Sequence, residues 1–249
     1  DELGRLAEDF NSLAMTLEQN EKARRQWVAD ISHELRTPLA VLRGEIEALQ
    51  DGVRQANPET IHSLHGEVLR LGRLVDDLYQ LSLSDVGALT YRKEELDLTE
   101  LLDEALAAFG PEFTQKGITL TAHIPRDGRA VVFGDPARLH QLFANLLDNA
   151  LKYTDSGGEL IIRLVCDEAR ARLDFQDTAP GVSPYDLERL FDRLYRVEAS
   201  RNRAAGGAGL GLAICRNIVE AHAGTITAQP SPLGGVRIIL TLPLQGGYA

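Results

Sequence analysis

The sequence predicts two unlike parts in tandem. The first is a long antiparallel helical hairpin, and the second is an α/β part in which a mixed sheet carries helices on one face. Three observations predict this. Apolar residues among the first 89 positions recur at heptad spacing. Only Pro38 and Pro58 interrupt that stretch. After about residue 90 the pattern changes to short runs of alternating polarity, separated by glycine, proline and aspartate signals.

Taken in order, residues 1–17 (DELGRLAEDFNSLAMTL) form a shorter amphipathic helix feeding into the hairpin. Val28, Ile31, Leu35, Leu39, Leu42, Ile46, Leu49 and Val53 then trace the seam of the first long helix. Its extra four-residue step surrounds Pro38, which lacks an N–H donor and is expected to kink the helix. The polar stretch 51–57 makes the loop. Ile61, Leu64, Val68, Leu71, Val75 and Leu78 trace the second helix. One hairpin cannot hide so long a seam, so pairing into a dimeric four-helix bundle is expected.

Beyond residue 90, strands are expected at 118–124 and 130–133. Asp135-Pro136 is an N-cap with proline at the first helical position, opening a helix to about Tyr153. Strands at 159–165 and 170–176, helices at 184–193 and 210–221, and a closing antiparallel pair at 224–229 and 235–242 complete the reading.

Composition narrows the function. The 249 residues are 44% hydrophobic and 25% charged, which suits a globular chain, and the net charge is −11. That balance argues against nucleic acid as a partner. The two cysteines, Cys166 and Cys215, are not in metal-ligand spacing, which argues against a disulfide scaffold or structural zinc and fits a reducing, cytosolic setting. No apolar run of membrane-spanning length and no signal peptide occur. The chain begins at Asp1, with its one methionine at Met15, so an excised piece of a longer protein is expected.

Four constellations carry chemistry. In DISHELRTPL, His33 lies about 200° from Ile31 at 100° per residue, so it faces away from the seam. Glu34 is adjacent and Thr37 lies one turn on, on the same face. A neutral imidazole can attack through one ring nitrogen while a carboxylate accepts from the other. Within the helix ending at Tyr153, Asn145, Asn149 and Lys152 share a second stripe. Two asparagines at i and i+4 inside a helix work against its propensity, and their amide oxygens suit a hard cation, with lysine suiting phosphate. Asp177-Thr178-Ala179-Pro180-Gly181 follows a strand and can present Asp177 to an amino group. Residues 189–203 hold five arginines against two acids, net +3 in a chain of −11. The run Gly206–Gly211 follows, and its backbone amides can approach an anion at a helix N-terminus. No P-loop motif occurs, and the glycine run does not follow a strand as a Rossmann fingerprint does.

In this order, HELRTPL resembles the H box of sensor histidine kinases, NLLDNALKYT their N box, DTAPGV the G1 box, LFDRLYR the F box and GGAGLGLAI the G2 box. The resemblance covers about residues 20–245. It implies a dimerisation and phosphotransfer hairpin at 20–89 and a Bergerat-type α/β sandwich that binds ATP at 90–249. Residues 1–19 are similar to the end of a HAMP linker.

The resemblance further implies ATP with Mg²⁺, autophosphorylation of His33 and relay to an aspartate on a response regulator. Glu34 would orient the imidazole, and Thr37 the water used in dephosphorylating that regulator. Asn145 and Asn149 would serve Mg²⁺ and phosphates. Lys152, Arg193, Arg196, Arg201 and Arg203 would meet phosphates, Tyr153 would pack near the nucleoside, and Asp177 would bond the adenine amino group. Gly181, Gly207, Gly209 and Gly211 would shape pocket and lid. A homodimer is implied, as the cytoplasmic portion of a bacterial inner-membrane protein held by segments absent from this chain.

One position departs from the family: Ala179 stands where the G1 box has its first glycine. If that site needs positive φ, alanine costs about 1 kcal/mol. The alternative is therefore a weak ATP binder acting as a regulator scaffold or phosphatase. A plain ATPase of the same pocket type is disfavoured, because such enzymes carry a glutamate where Asn145 stands.

Overall fold

Helix α1 runs unbroken from Glu2 to Gln50 in the computed structural model, which describes residues 2–125, 130–178, 180–197 and 207–245. The separate helix expected at 1–17 is the first part of α1. Pro38 lies inside it and is buried, and the helix continues through it. The carbonyl of Glu34, four residues back, thereby loses its backbone donor. Gly52, at φ 70°, closes the helix, and the Arg54 N–H reaches back to the Ala48 carbonyl at 2.9 Å. Helix α2 spans Pro58–Asp85. Its N-cap is Asn57, whose Oδ1 accepts from the Thr60 N–H at 2.8 Å.

The chain divides into two compact units, 1–76 and 77–249. In the first, the heptad seam is split. Leu35, Leu42, Leu49, Leu64, Leu71 and Leu74 are buried or half-buried. Leu39, Ile46, Val53, Ile61, Val68 and Val75 remain exposed, at 46–80%. Each helix therefore keeps a second apolar stripe that one chain leaves uncovered.

The second unit begins inside α2, where Leu81 is fully buried. It continues with β1 (Glu94–Asp97), α3 (Leu98–Lys116), β2 (Thr119–His123), β3 (Val131–Gly134), α4 (Pro136–Tyr153), β4 (Glu159–Cys166), β5 (Arg170–Asp177), α5 (Pro184–Arg189), α6 (Gly211–Ala221), β6 (Thr225–Pro230) and β7 (Val236–Pro243). Five strands form one mixed sheet in the order β2-β4-β5-β7-β6; β2 and β4 are parallel and the other neighbours antiparallel. β1 and β3 make a separate antiparallel pair. Period-two alternation puts Leu160, Ile162, Leu164, Leu173, Phe175, Ile238, Leu240 and Leu242 in the core. Across from them α4 contributes Leu139, Leu142, Phe143, Leu146 and Leu147, and α6 contributes Ile214, Ile218 and Val219. Each fully buried leucine or phenylalanine stabilises by about 1.5–3 kcal/mol.

Three elements differ from the sequence reading. β1 and α3 are additions, and α3 contains Gly110-Pro111, a pair that ordinarily breaks a helix. Asp97 caps it by accepting from the Thr99 N–H at 2.9 Å, and Gly117 closes it at φ 71°. Burial of Leu98, Leu102, Ala105 and Phe113 outweighs the break. Helix α5 stops at Arg189 rather than Arg193, because the chain turns to bring Leu194, at φ 59°, against Gly209.

His222 closes the fold at the far end of α6. Its Nε2 accepts from the Asp135 N–H at 2.9 Å, and its Nδ1–H donates to the Ile218 carbonyl at 2.7 Å. Asp135 caps α4 at Arg138 and also accepts from the Arg92 N–H at 2.9 Å. One buried network thus ties the segment before β1 to the start of α4 and the end of α6.

Candidate functional site

On α1, His33 is exposed, as its angular position predicts. Glu34 is half-buried beside it. The Thr37 hydroxyl donates to the His33 backbone carbonyl at 3.3 Å, a longer echo of the Ser32 hydroxyl donating to the Val28 carbonyl at 2.8 Å. These hydroxyls occupy the helix surface around the proline, leaving the imidazole to solvent.

In the second unit, α4, the end of β5 and the start of α6 bring most of the remaining site residues together. The side-chain Nδ2–H of Asn145 donates to the Gly211 carbonyl at 3.4 Å; the other end of the amide, Oδ1, is an acceptor. Asn149 is half-buried one turn on. Lys152 donates to the Asp148 carboxylate at 2.5 Å. A Cβ placed on Gly207 would sit 3.6 Å from the Lys152 Nζ, so the glycine turn passes directly over that ammonium. Tyr153 ends α4, half-buried. Asp177 ends β5, buried, and its Oδ1 accepts from the Val236 N–H at 2.7 Å.

The glycines serve different ends. At Gly181 a Cβ would lie 2.9 Å from the Gly234 carbonyl, so backbone approaches backbone. Gly209 has φ 70°, and its Cβ would lie 2.8 Å from the Tyr195 carbonyl. Among the described residues, a Cβ on Gly211 would meet nothing closer than the Asn145 Cγ at 3.9 Å. Gly211 also opens α6, whose N-cap Leu210 makes no side-chain capping bond to the first N–H groups.

The arginines part company. Arg193 forms a two-pronged ion pair with Asp85 at the end of α2; one prong, Nη1 to Oδ2, is 2.5 Å long. Its guanidinium is held charged by that carboxylate. Arg196 is half-buried in the following turn. Arg201, Arg203 and Ala179 lie outside the described residues.

The chemistry of this set fits a nucleotide with a hard cation. It holds amide oxygens, an ammonium, an uncapped helix start and a buried carboxylate facing a strand end. The Thr154 hydroxyl, fully buried just after α4, has no hydrogen-bond partner among the described residues, which suits a polar visitor or water. Asn145 and Asn149 would hold Mg²⁺ through oxygen, the ligand type it takes alongside substrate phosphates.

Sequence reasoning missed Asp148, Asp85 and Thr154. Asp148 had a signal, standing four residues before Lys152 on one helix. Asp85 had none, because its partner is 108 residues away.

The chain matches the family described as His Kinase A (phospho-acceptor) domain over residues 23–87. Over residues 134–246 it matches the family described as Histidine kinase-, DNA gyrase B-, and HSP90-like ATPase. It is 59% identical over 245 residues to the signal transduction histidine-protein kinase BaeS of Escherichia coli (strain K12), a match covering 98% of this chain and 52% of BaeS. The chain therefore spans about half the length of that relative. The solved structure of Acinetobacter baumannii histidine kinase AdeS superposes with a TM-score of 0.72 at 27% identity, over 86% of this chain and 98% of that one. The crystal structure of histidine kinase ThkA in complex with response regulator protein TrrA shares the fold, with a TM-score of 0.70 at 22% identity, over 88% of this chain and 61% of that one. With a phospho-acceptor hairpin followed by an ATPase domain of this type, the chain belongs to the histidine kinase family.

Proposed function

We propose that this chain is the catalytic core of a sensor histidine kinase that phosphorylates His33 from ATP and passes the phosphoryl group to an aspartate of a response regulator. The observation that carries this is that one chain holds both an exposed imidazole on a proline-bearing helix and, in its second unit, a pocket in which Asn145, Lys152 and the uncapped start of α6 converge.

In the reaction, a lone pair on one His33 ring nitrogen attacks the γ-phosphorus. The N–P bond forms as the bond from phosphorus to the bridging β,γ oxygen breaks, and ADP leaves. Glu34 takes the proton from the other ring nitrogen, so the imidazole ring of the product is uncharged and the phosphoryl group keeps its negative charge. Phosphoryl transfer demands positioning and charge neutralisation more than covalent chemistry. Lys152, Arg196, Arg201 and Arg203 supply positive charge, and Asp177 orients the adenine by accepting from its amino group. Tyr153 packs near the nucleoside. Mg²⁺, held by Asn145 and Asn149, would neutralise phosphate oxygens when bound. Asn145 has no proton-accepting carboxylate to activate water, which favours delivery to His33 over hydrolysis.

The uncovered stripe from Leu39 to Val75 supports a homodimer through a four-helix bundle. The ThkA–TrrA complex supports a receiver domain as the partner. Thr37 would position water when the regulator is dephosphorylated. Residues 1–19 would be the end of a HAMP linker, 20–89 the phosphotransfer hairpin and 90–249 the ATP-binding domain. The whole protein would sit at the bacterial inner membrane with this portion cytoplasmic; among the described residues no helix is long and apolar enough to cross a membrane.

His33→Ala tests the reading. It is expected to bind ATP as tightly as the unaltered chain and to take up no label from γ-labelled ATP. Full labelling of that variant would overturn the assignment.

A further inference from the structure

The last turn of α2 carries Asp85, and from it a continuous set of contacts runs to the phosphate-facing amide. Asp85 grips both guanidinium nitrogens of Arg193. The next residue, Leu194, sits at φ 59°, a conformation a leucine holds only under restraint from its surroundings. Its N–H donates to the Gly209 carbonyl at 3.0 Å. Gly209 lies so close to the Leu194 and Tyr195 backbone that its missing Cβ would fall 2.8–2.9 Å from them. Two residues on, the Gly211 carbonyl accepts from Asn145. From the other side, the Arg189 guanidinium stacks 4.2 Å from the Tyr195 ring, whose hydroxyl donates to Asp186 at 2.5 Å.

We propose that Asp85 is a positioning residue for nucleotide binding: through Arg193 it holds the Leu194 turn in its strained form and so keeps the Gly209–Gly211 backbone against Asn145. The proposal rests on the nucleotide reading of that pocket. It gives Arg193 a different task from the phosphate contact expected of it. It also makes the end of a hairpin helix part of the phosphate site's scaffold, since α2 is one helix from Pro58 to Asp85.

The end of α2 does not depend on Asp85 for its own seat. Leu81 is fully buried, Gln141 donates to the Gln80 side-chain oxygen at 2.9 Å, and Asn217 donates to the Ser84 hydroxyl at 3.0 Å. Removing the carboxylate therefore loosens the Arg193 turn without undocking the helix. Ser84→Ala removes a neighbouring tie, to Asn217 in the body of α6, that does not pass through Arg193 or the Leu194 turn, and serves as the control.

The experiment is calorimetric titration of the whole chain with Mg²⁺–ATP, alongside thermal melting. Asp85→Ala and Arg193→Ala are each expected to raise the dissociation constant about three- to five-fold, the range a half-exposed ion pair supports. The double variant is expected to be no weaker than either single one, because the two residues act as one unit. The exchanged pair Asp85→Arg with Arg193→Asp should recover part of the loss, and Ser84→Ala should bind as the unaltered chain does. Asp85→Ala binding with unchanged or greater affinity would overturn the proposal, as would losses that simply add in the double variant. If the unaltered chain itself failed to bind Mg²⁺–ATP, the nucleotide reading would fall instead.

Discussion

Asn145 and Gly211 show how much of the proposed chemistry rests on single atoms. The amide nitrogen of Asn145 donates to the Gly211 carbonyl, and its oxygen is the atom that the proposed cation would take. Asn145→Ala is expected to weaken Mg²⁺–ATP binding about ten-fold or more, since a hydrogen bond to a charged group is worth about 1.5–3 kcal/mol; calorimetric titration measures it. The neighbouring glycines separate folding from binding. Gly209→Ala forces a Cβ into backbone at positive φ and should lower the melting temperature, with a cost of about 1–2 kcal/mol for the backbone conformation alone. Gly211→Ala meets no clash among the described residues and should melt as the unaltered chain does, while its methyl group is expected to obstruct the proposed phosphate space and weaken nucleotide binding. A Gly211→Ala protein that melts much earlier would contradict this division.

Among the elements, the ends of α4 and α6 are joined by a buried histidine whose protonation state is fixed. Burial pushes the His222 imidazole below its ordinary range, with nearby Lys93 acting in the same direction; the Ile218 carbonyl and Asp135 oppose both, and Tyr91 stacks edge-on. The neutral ring is required, because Nε2 must accept from Asp135. The folded protein resists a proton that the unfolded chain accepts at about pH 6.5. Stability from this group is thus present above that pH and is lost as the pH falls below it. Melting temperatures between pH 7.5 and 5.5 should decline, and His222→Gln should remove part of the decline. An identical decline in the variant would contradict it.

The same elements mark what the sequence could reveal. The α4 stripe, the Asp135 cap and the strand pairs follow local periodicity and were legible. The α3 helix was not, because Gly110-Pro111 reads as a break that only tertiary burial of Leu102 and Phe113 overrides. The end of α5 and the Asp85–Arg193 pair were hidden for another reason: each is decided by a contact between residues far apart in sequence. Motif spacing could place Arg193 near a phosphate, but not show that a carboxylate 108 positions earlier holds it.

At the scale of the molecule, two apolar stripes remain uncovered on the hairpin while the catalytic unit closes its own core. Dimerisation and nucleotide binding should therefore be separable. Val68→Glu places a charge on the exposed stripe and should convert the dimer to monomer in light scattering, leaving Mg²⁺–ATP affinity unchanged. A dimer that persists would place the interface elsewhere.

A pocket that serves to charge one imidazole must leave its label there. Incubating the chain with γ-labelled ATP and Mg²⁺, then mapping the peptides and treating the label with acid and alkali, shows whether it does. One labelled site is expected, His33, carrying a phosphoryl group that is lost in acid, survives alkali, and is absent from His33→Ala. Acid-stable label on a serine or threonine, or ATP turnover in His33→Ala as fast as in the unaltered chain, would contradict it.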